Sequence, residues 1–174
     1  MAGEHLEAQA RRVVTGFDEN GKSTIVSDGP TTRRVATPAF TLCDVWETQS
    51  LPVPMTQGTA EGEVTLLPSD TGFIFRVTTF PPDKERDQAE FSQSLDGMGG
   101  AGAADEDAET VGMHVTPTVD IVTVVSGEVY VVLESAETLL QQGDTAIIRG
   151  AMHAWSNRAD QPCTITSLMM GAKR

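Results

Sequence analysis

The residues best suited to chemistry are two histidines and one aspartate in the C-terminal half of the chain. The 174 residues include only three histidines, His5, His114 and His153. His5 lies in a polar N-terminal stretch and reads as a solvated residue. His114 opens a run in which His114, Thr116, Thr118, Asp120, Val122 and Val124 share one parity, hence one face of a strand. His153 closes a turn bounded by Gly150. Two imidazoles and a carboxylate converging on an interior would form the 2-His-1-carboxylate arrangement that suits iron and related divalent ions. A lone buried carboxylate such as Asp120 is costly unless it is paired, metal-bound or protonated. Spacing alone leaves three outcomes open. One is a three-ligand metal centre with open positions for substrate and water. Another is a metal-free pocket where a histidine and a carboxylate do acid–base work. The last is an inert barrel whose histidines only hydrogen-bond inside.

Other residues are candidates for the same pocket. Arg149 stands four residues before His153, and its fork suits a substrate carboxylate or enolate oxygen, or a rim salt bridge. Arg76 lies in a strand-like run, Phe73–Phe80, whose parity is not fixed by the sequence. Phe75, Met113, Met152 and Trp155 would supply an apolar wall, and Thr116 a polar contact. Such a wall suits a hydrophobic or aromatic substrate bearing one polar group. Phe91 and Met98 could close over it from a neighbouring segment.

The elements that must position these residues are strands. Arg12–Phe17 and Ser23–Ser27 flank an Asn-Gly turn and read as a hairpin. Ala39–Thr48, Glu63–Leu67 and Phe73–Phe80 follow, with Pro81-Pro82 ending the last. Residues 83–112 are rich in charge, Gly and Ala. They read as one short helix within Asp83–Leu95, where Phe91 and Leu95 sit a turn apart, then a mobile loop serving as a lid or remaining disordered. From Met113 onward the texture is strictly β, with turns at Ser126-Gly127 and around Gly143. Pro117 cannot donate to a ladder, so it marks an edge or a bulge beside the candidate site. Many short strands with almost no helix argue for an antiparallel sandwich or barrel.

Composition bounds the partners. The formal charge is -13, with 25 acidic residues against 12 basic ones, which argues against nucleic acid and against an anionic membrane surface. No apolar run approaches the ~20 residues of a membrane span, and Met1–Arg12 lacks the apolar stretch of a signal peptide. The two cysteines, Cys43 and Cys163, sit in apolar runs and read as reduced core residues. The expected location is cytoplasmic.

Two segments carry a family resemblance. Gly112-Met-His-Val-Thr-Pro-Thr-Val-Asp-Ile-Val-Thr-Val-Val-Ser-Gly127 resembles the first cupin motif, in which His-x-His is followed by a Glu and a Gly. Gly143-Asp-Thr-Ala-Ile-Ile-Arg-Gly-Ala-Met-His-Ala-Trp-Ser-Asn157 resembles the second, which runs from Gly through a Pro-x-Gly turn to His and Asn. The resemblance covers roughly residues 60–170. It departs from the family at Thr116, where the second His is expected, at Asp120, where Glu is expected, and at Arg149, where Pro is expected.

The resemblance implies an all-β fold, the cupin double-stranded β-helix or jelly-roll barrel, with an N-terminal β-hairpin extension. Residues 1–10 would be a flexible arm, 11–58 a dimerisation extension, and 59–174 the barrel with its insertion at 83–112. It implies a small-molecule enzyme of the oxygenase, dehydratase, isomerase or lyase class. A divalent metal (Fe, Zn, Ni or Mn) would be held by His114, Asp120 and His153, with Asp120 and Arg149 as catalytic groups. A metal-free barrel that binds or senses a ligand is the alternative. Small cupins also pair, and a homodimer would cover Val13, Val14, Ile25 and Val26 on the hairpin.

Overall fold

A computed structural model describes residues 3–55 and 62–173. Eleven strands form the described fold. They are β1 (Arg11–Phe17), β2 (Ser23–Pro30), β3 (Arg34–Ala36), β4 (Thr41–Thr48), β5 (Phe73–Phe80), β6 (Thr118–Ser126), β7 (Glu128–Leu133), β8 (Glu137–Gln141), β9 (Thr145–Arg149), β10 (His153–Ser156) and β11 (Cys163–Gly171). One helix, α1 (Gln88–Asp96), is capped by the Asp87 carboxylate, which accepts from the amides of Ala89 and Glu90.

A six-stranded sheet of order β3-β4-β5-β11-β6-β9 faces a three-stranded sheet of order β10-β7-β8. Every strand pair in both is antiparallel. Two antiparallel sheets packed in this way form a jelly-roll barrel, a double-stranded β-helix. Inward parity explains the core. Val122, Val124, Ile148, Phe80 and Ile165 from the large sheet meet Val129, Val131, Leu140 and Trp155 from the small one. The β6–β7 turn needs Gly127, whose φ is +74° and whose added Cβ would lie 3.1 Å from the Pro162 carbonyl. Asn157 of the second motif is structural. Wholly buried, it donates through Nδ2 to the carbonyls of Phe80 and Gln161, at 3.3 and 2.9 Å, tying β5 to the β10–β11 turn.

Several expectations change on the structure. The Glu63–Leu67 run forms no strand. The Arg76 guanidinium occupies the carbonyls of Thr65 and Leu66, so that backbone is not offered to a ladder. Strand β4, grouped above with the N-terminal extension, is an interior strand of the large sheet. His5 is buried, only 3% exposed, and its Nε2 lies 3.0 Å from the Thr37 carbonyl. Arg34 fixes the same arm by donating to Ala8 O at 2.9 Å. The insertion packs rather than trailing: Phe91, Leu95 and Met98 are all buried in the core. No helix among the described residues is long and apolar enough to cross a membrane.

The hairpin β1–β2 forms its own two-stranded sheet. It leaves Val13, Phe17, Ile25 and Val26 between 47% and 68% exposed. Cys43 and Cys163 are buried free thiols, and burial pushes the Cys163 thiol up to about 12.

Candidate active site

The two site histidines are brought together by the backbone. Strand β6 begins only after Pro117, and His114 is instead held by an isolated antiparallel bridge to His153. Each donates its amide to the other's carbonyl, at 2.9 and 3.0 Å. Such a pair places both side chains on one face, and the imidazole centroids lie 4.3 Å apart. The Nδ1 of His114 faces the Gly112 carbonyl at 2.8 Å, and the Nδ1 of His153 faces the Ala151 carbonyl at 2.9 Å. A carbonyl can only accept, so both rings carry their proton on Nδ1 and keep a lone pair on Nε2. Burial, then the neighbouring His153, brings the His114 ring down to about 3. Burial lowers His153 as well. Both imidazoles are neutral at pH 7.

Asp120 lies on the inward parity of β6 and is 5% exposed. Its Oδ1 is buried without a hydrogen-bond partner among the described residues. Burial pushes the carboxyl up to about 6, against the opposing pull of the Thr118 hydroxyl and the Arg76 charge.

His114, His153 and Asp120 line one cavity of about 80 Å³, with Arg76, Arg86 and Trp155 in the same wall. The rest of the lining is largely apolar, including Phe40, Leu42, Phe80, Phe91, Leu95 and Met98. The parity left open for β5 is settled by β4. Arg76 stands directly opposite Asp44, and its Nε lies 3.0 Å from Asp44 Oδ1. Asp44 also pairs with Arg33 at 3.1 Å, and Arg33 with Glu47. Arg76 is therefore a buried strut bordering the cavity, with its guanidinium committed to Asp44, Thr65 and Leu66.

Five sequence candidates lie elsewhere. Phe75 takes the opposite parity on β5 from Arg76 and does not line the cavity. Met113 and Met152 pack in a separate cluster with Val132 and Ala154, because each neighbours an inward histidine and alternation turns it away. Arg149 is exposed on the outer parity of β9, beside Leu133 and Ile147 on an outside groove. Thr116 is buried but bonded to the Thr118 hydroxyl at 2.7 Å, and it is not a lining residue. Trp155 remains in the wall, its ring edge-on to His153 at 5.7 Å. Sequence reasoning missed Arg86. Asp83-Lys-Glu-Arg-Asp87 opens the segment read only as rich in charge, yet the Arg86 side chain is 1% exposed.

Two neutral imidazoles with free Nε2 atoms match the chemistry of a divalent ion, and the Nδ1–carbonyl bonds orient them as ligating histidines are oriented. Among the described residues, however, no three His, Cys, Asp or Glu are gathered to hold a metal. The Asp120 carboxylate is one methylene shorter than the glutamate of the motif. What converges on the cavity is a set of acceptors, two Nε2 lone pairs and a carboxylate, facing apolar walls.

No family model matches the chain. Two curated relatives from Diaporthe leptostromiformis, "Phomopsin biosynthesis cluster protein C'" and "Phomopsin biosynthesis cluster protein D", are each 44% identical over 48 residues. That segment is 27% of this chain and 25% of each relative, so the chain matches about a quarter of their length. Among solved structures, the chain is similar to the Cupin_2 domain of an XRE family transcriptional regulator from Enterobacter cloacae. There the identity is 14%, the coverage 78% of this chain and 99% of that one, and the TM-score 0.43. A Klebsiella pneumoniae protein with a double-stranded β-helix domain is 18% identical, with 82% and 80% covered and a TM-score of 0.43. A sugar phosphate isomerase of the cupin superfamily from Silicibacter pomeroyi is 17% identical, with 56% and 50% covered and a TM-score of 0.36.

Proposed function

We propose that this chain is a small-molecule enzyme that moves a proton on a largely apolar or aromatic metabolite held in the barrel cavity. The observation that carries the reading is the acceptor set. His114 and His153 present Nε2 lone pairs beside a buried carboxylate whose Oδ1 has no partner among the described residues. Three acceptors ask for hydrogen donors, so the substrate offers hydroxyl or amine hydrogens. The His114 ring, at about 3, is too weak a base to take a proton at pH 7 and serves to orient a donor. Asp120, at about 6, is ionised at pH 7 and close enough to it to act as the general base. The proton comes from a substrate C–H. As the freed electron pair shifts a double bond, the proton returns to a second carbon, an isomerisation, or as that pair expels a hydroxyl, the proton leaves with it as water, a dehydration. The partial likeness to proteins named for phomopsin biosynthesis supports a natural-product metabolite as substrate.

Imidazole-detected ¹H–¹⁵N NMR at pH 7 tests this directly. Both rings are expected in the Nδ1–H form, and phenol or benzylamine is expected to shift the Nε2 signal of both. Asp120→Asn is expected to weaken the binding of these probes by about tenfold or more, the scale of a charge-assisted hydrogen bond. If neither probe moves either ring, the cavity is not the substrate site.

The anchored Nδ1 atoms support a second reading, a divalent ion carried by His114 and His153 with its other positions open. Elemental analysis of protein prepared without a histidine tag separates the two. Near-stoichiometric iron, zinc, nickel or manganese, lost in both His114→Ala and His153→Ala, supports the ion. None bound after reconstitution removes that reading.

The hairpin supports a homodimer as part of the proposal, since one chain leaves Phe17, Ile25 and Val26 uncovered. Light scattering is expected to give twice the chain mass, and Phe17→Asp with Ile25→Asp to halve it. A monomer from the unaltered chain would remove the dimer.

A further inference from the structure

We propose that Arg86 grips a carboxylate of the substrate, making the ligand a planar, mainly apolar carboxylic acid with a hydroxyl toward the histidines. The proposal rests on the reading of the cavity as the substrate site. Arg86 enters from the stretch just before α1. Its Nη1 donates to the Trp155 carbonyl at 2.6 Å and lies 3.3 Å from Asp83 Oδ1. Those contacts fix the plane of the guanidinium. On the other edge, which Nε forms with Nη2, Nε is fully buried and has no partner among the described residues. That edge is the one that takes both oxygens of a carboxylate side by side. Leaving such a donor unpaired inside a protein is costly, and native structures seldom do so without reason.

The surroundings point to the same class of ligand. The guanidinium carbon lies 5.6 Å from the ring centroids of Phe80 and Phe91, and both rings line the cavity. Phe91 is in turn 5.7 Å from the His114 ring, so the arginine and the imidazole pair share one aromatic wall. Gly112 clears the space at Nη2. An added Cβ there would sit 2.7 Å from Nη2, and the φ of +89° favours glycine in any case. The Gly112 carbonyl also fixes the His114 tautomer, which links the two ends of the site. One arginine edge in apolar walls suits a single negative charge with a flat body, not a doubly charged phosphate. Arg149, the sequence candidate for this role, is outside on β9.

The test uses the full chain with benzoate, benzamide and phenol, followed by NMR and calorimetry. Benzoate is expected to bind at least about tenfold tighter than benzamide, as a charged acceptor on a guanidinium fork requires. Arg86→Lys keeps the charge and loses the fork. It is expected to weaken benzoate by about tenfold or more while leaving phenol unchanged. His114→Gln is expected to do the reverse. In the unaltered protein the Arg86 Nε–H resonance, assigned through its contacts to Phe80 and Phe91, is expected to shift on adding benzoate. This readout decides the matter if a variant fails to fold. Benzoate binding no tighter than benzamide, or an unmoved Nε–H, overturns the assignment. Phenol bound without benzoate defeats the role of Arg86 alone. Neither probe bound defeats the cavity reading as well.

Discussion

Asp44→Ala is expected to destabilise this protein by about 3–5 kcal/mol, the cost of removing one partner from a buried ion pair. Asp44 is 0% exposed, and Arg33 and Arg76 lie against it with 4% and 2% exposure. Both guanidiniums contact its carboxylate, at 3.1 and 3.0 Å. Alanine would leave Glu47 as the remaining carboxylate on Arg33 and none in contact with Arg76. Folded domains hold only about 5–15 kcal/mol in all, so the loss is a large share of the total. The exposed pair Lys84–Asp160 is shorter, at 2.7 Å, with side chains 63% and 87% exposed. Lys84→Ala is expected to change nothing measurable, because water replaces what the pair contributes. Urea unfolding followed by Trp46 and Trp155 fluorescence compares the two. Equal midpoints for Asp44→Ala and the unaltered chain would show that the buried network adds no net stability.

The fold and half of the site were legible for the same reason: alternation. The parity of His114, Asp120 and Val122 in the sequence becomes the inward face of β6 and the stretch before it. Gly127 and the β8–β9 turn marked the strand ends. The same rule could have excluded Met113 and Met152, since placing each histidine inside turns its neighbour out. It could not place Arg149, because Ala146, Ile147 and Ile148 are all apolar and offer either face to the core. Arg76 was ambiguous within β5 alone. Its direction follows from a charge on another strand, Asp44, in register across β4–β5. Arg86 was beyond any local pattern. Its burial depends on Trp155, 69 positions away in the chain, offering a carbonyl, and on two rings from separate elements closing around it.

Asp120→Asn is expected to stabilise the fold at pH 7.5 while removing the proposed base, and the sign follows from the carboxyl itself. Its folded value, about 6, lies above its ordinary 3.8. The folded state therefore holds this proton more tightly than the unfolded chain does. Stability from this group is greatest below pH ~4, falls as pH rises to about 6, and stays low beyond. The loss at neutral pH amounts to about 3 kcal/mol for a shift of this size. His114 acts the other way. Its folded value, about 3, lies below its ordinary 6.5, so its contribution is complete above that value and is lost as pH falls toward 3. Between about pH 4 and 6 the two slopes oppose each other and flatten the stability profile of the unaltered protein. In Asp120→Asn only the histidine slope remains. The variant is expected to have a higher Tm at pH 7.5 and a steeper fall on acidification, read by thermal melts at half-unit steps. A lower Tm at pH 7.5 with an unchanged slope would mean that the carboxylate is stabilised by partners inside the fold. A rise in Tm with loss of phenol binding would identify Asp120 as a group that costs the fold stability and serves the ligand, the pairing expected where a site trades stability for function.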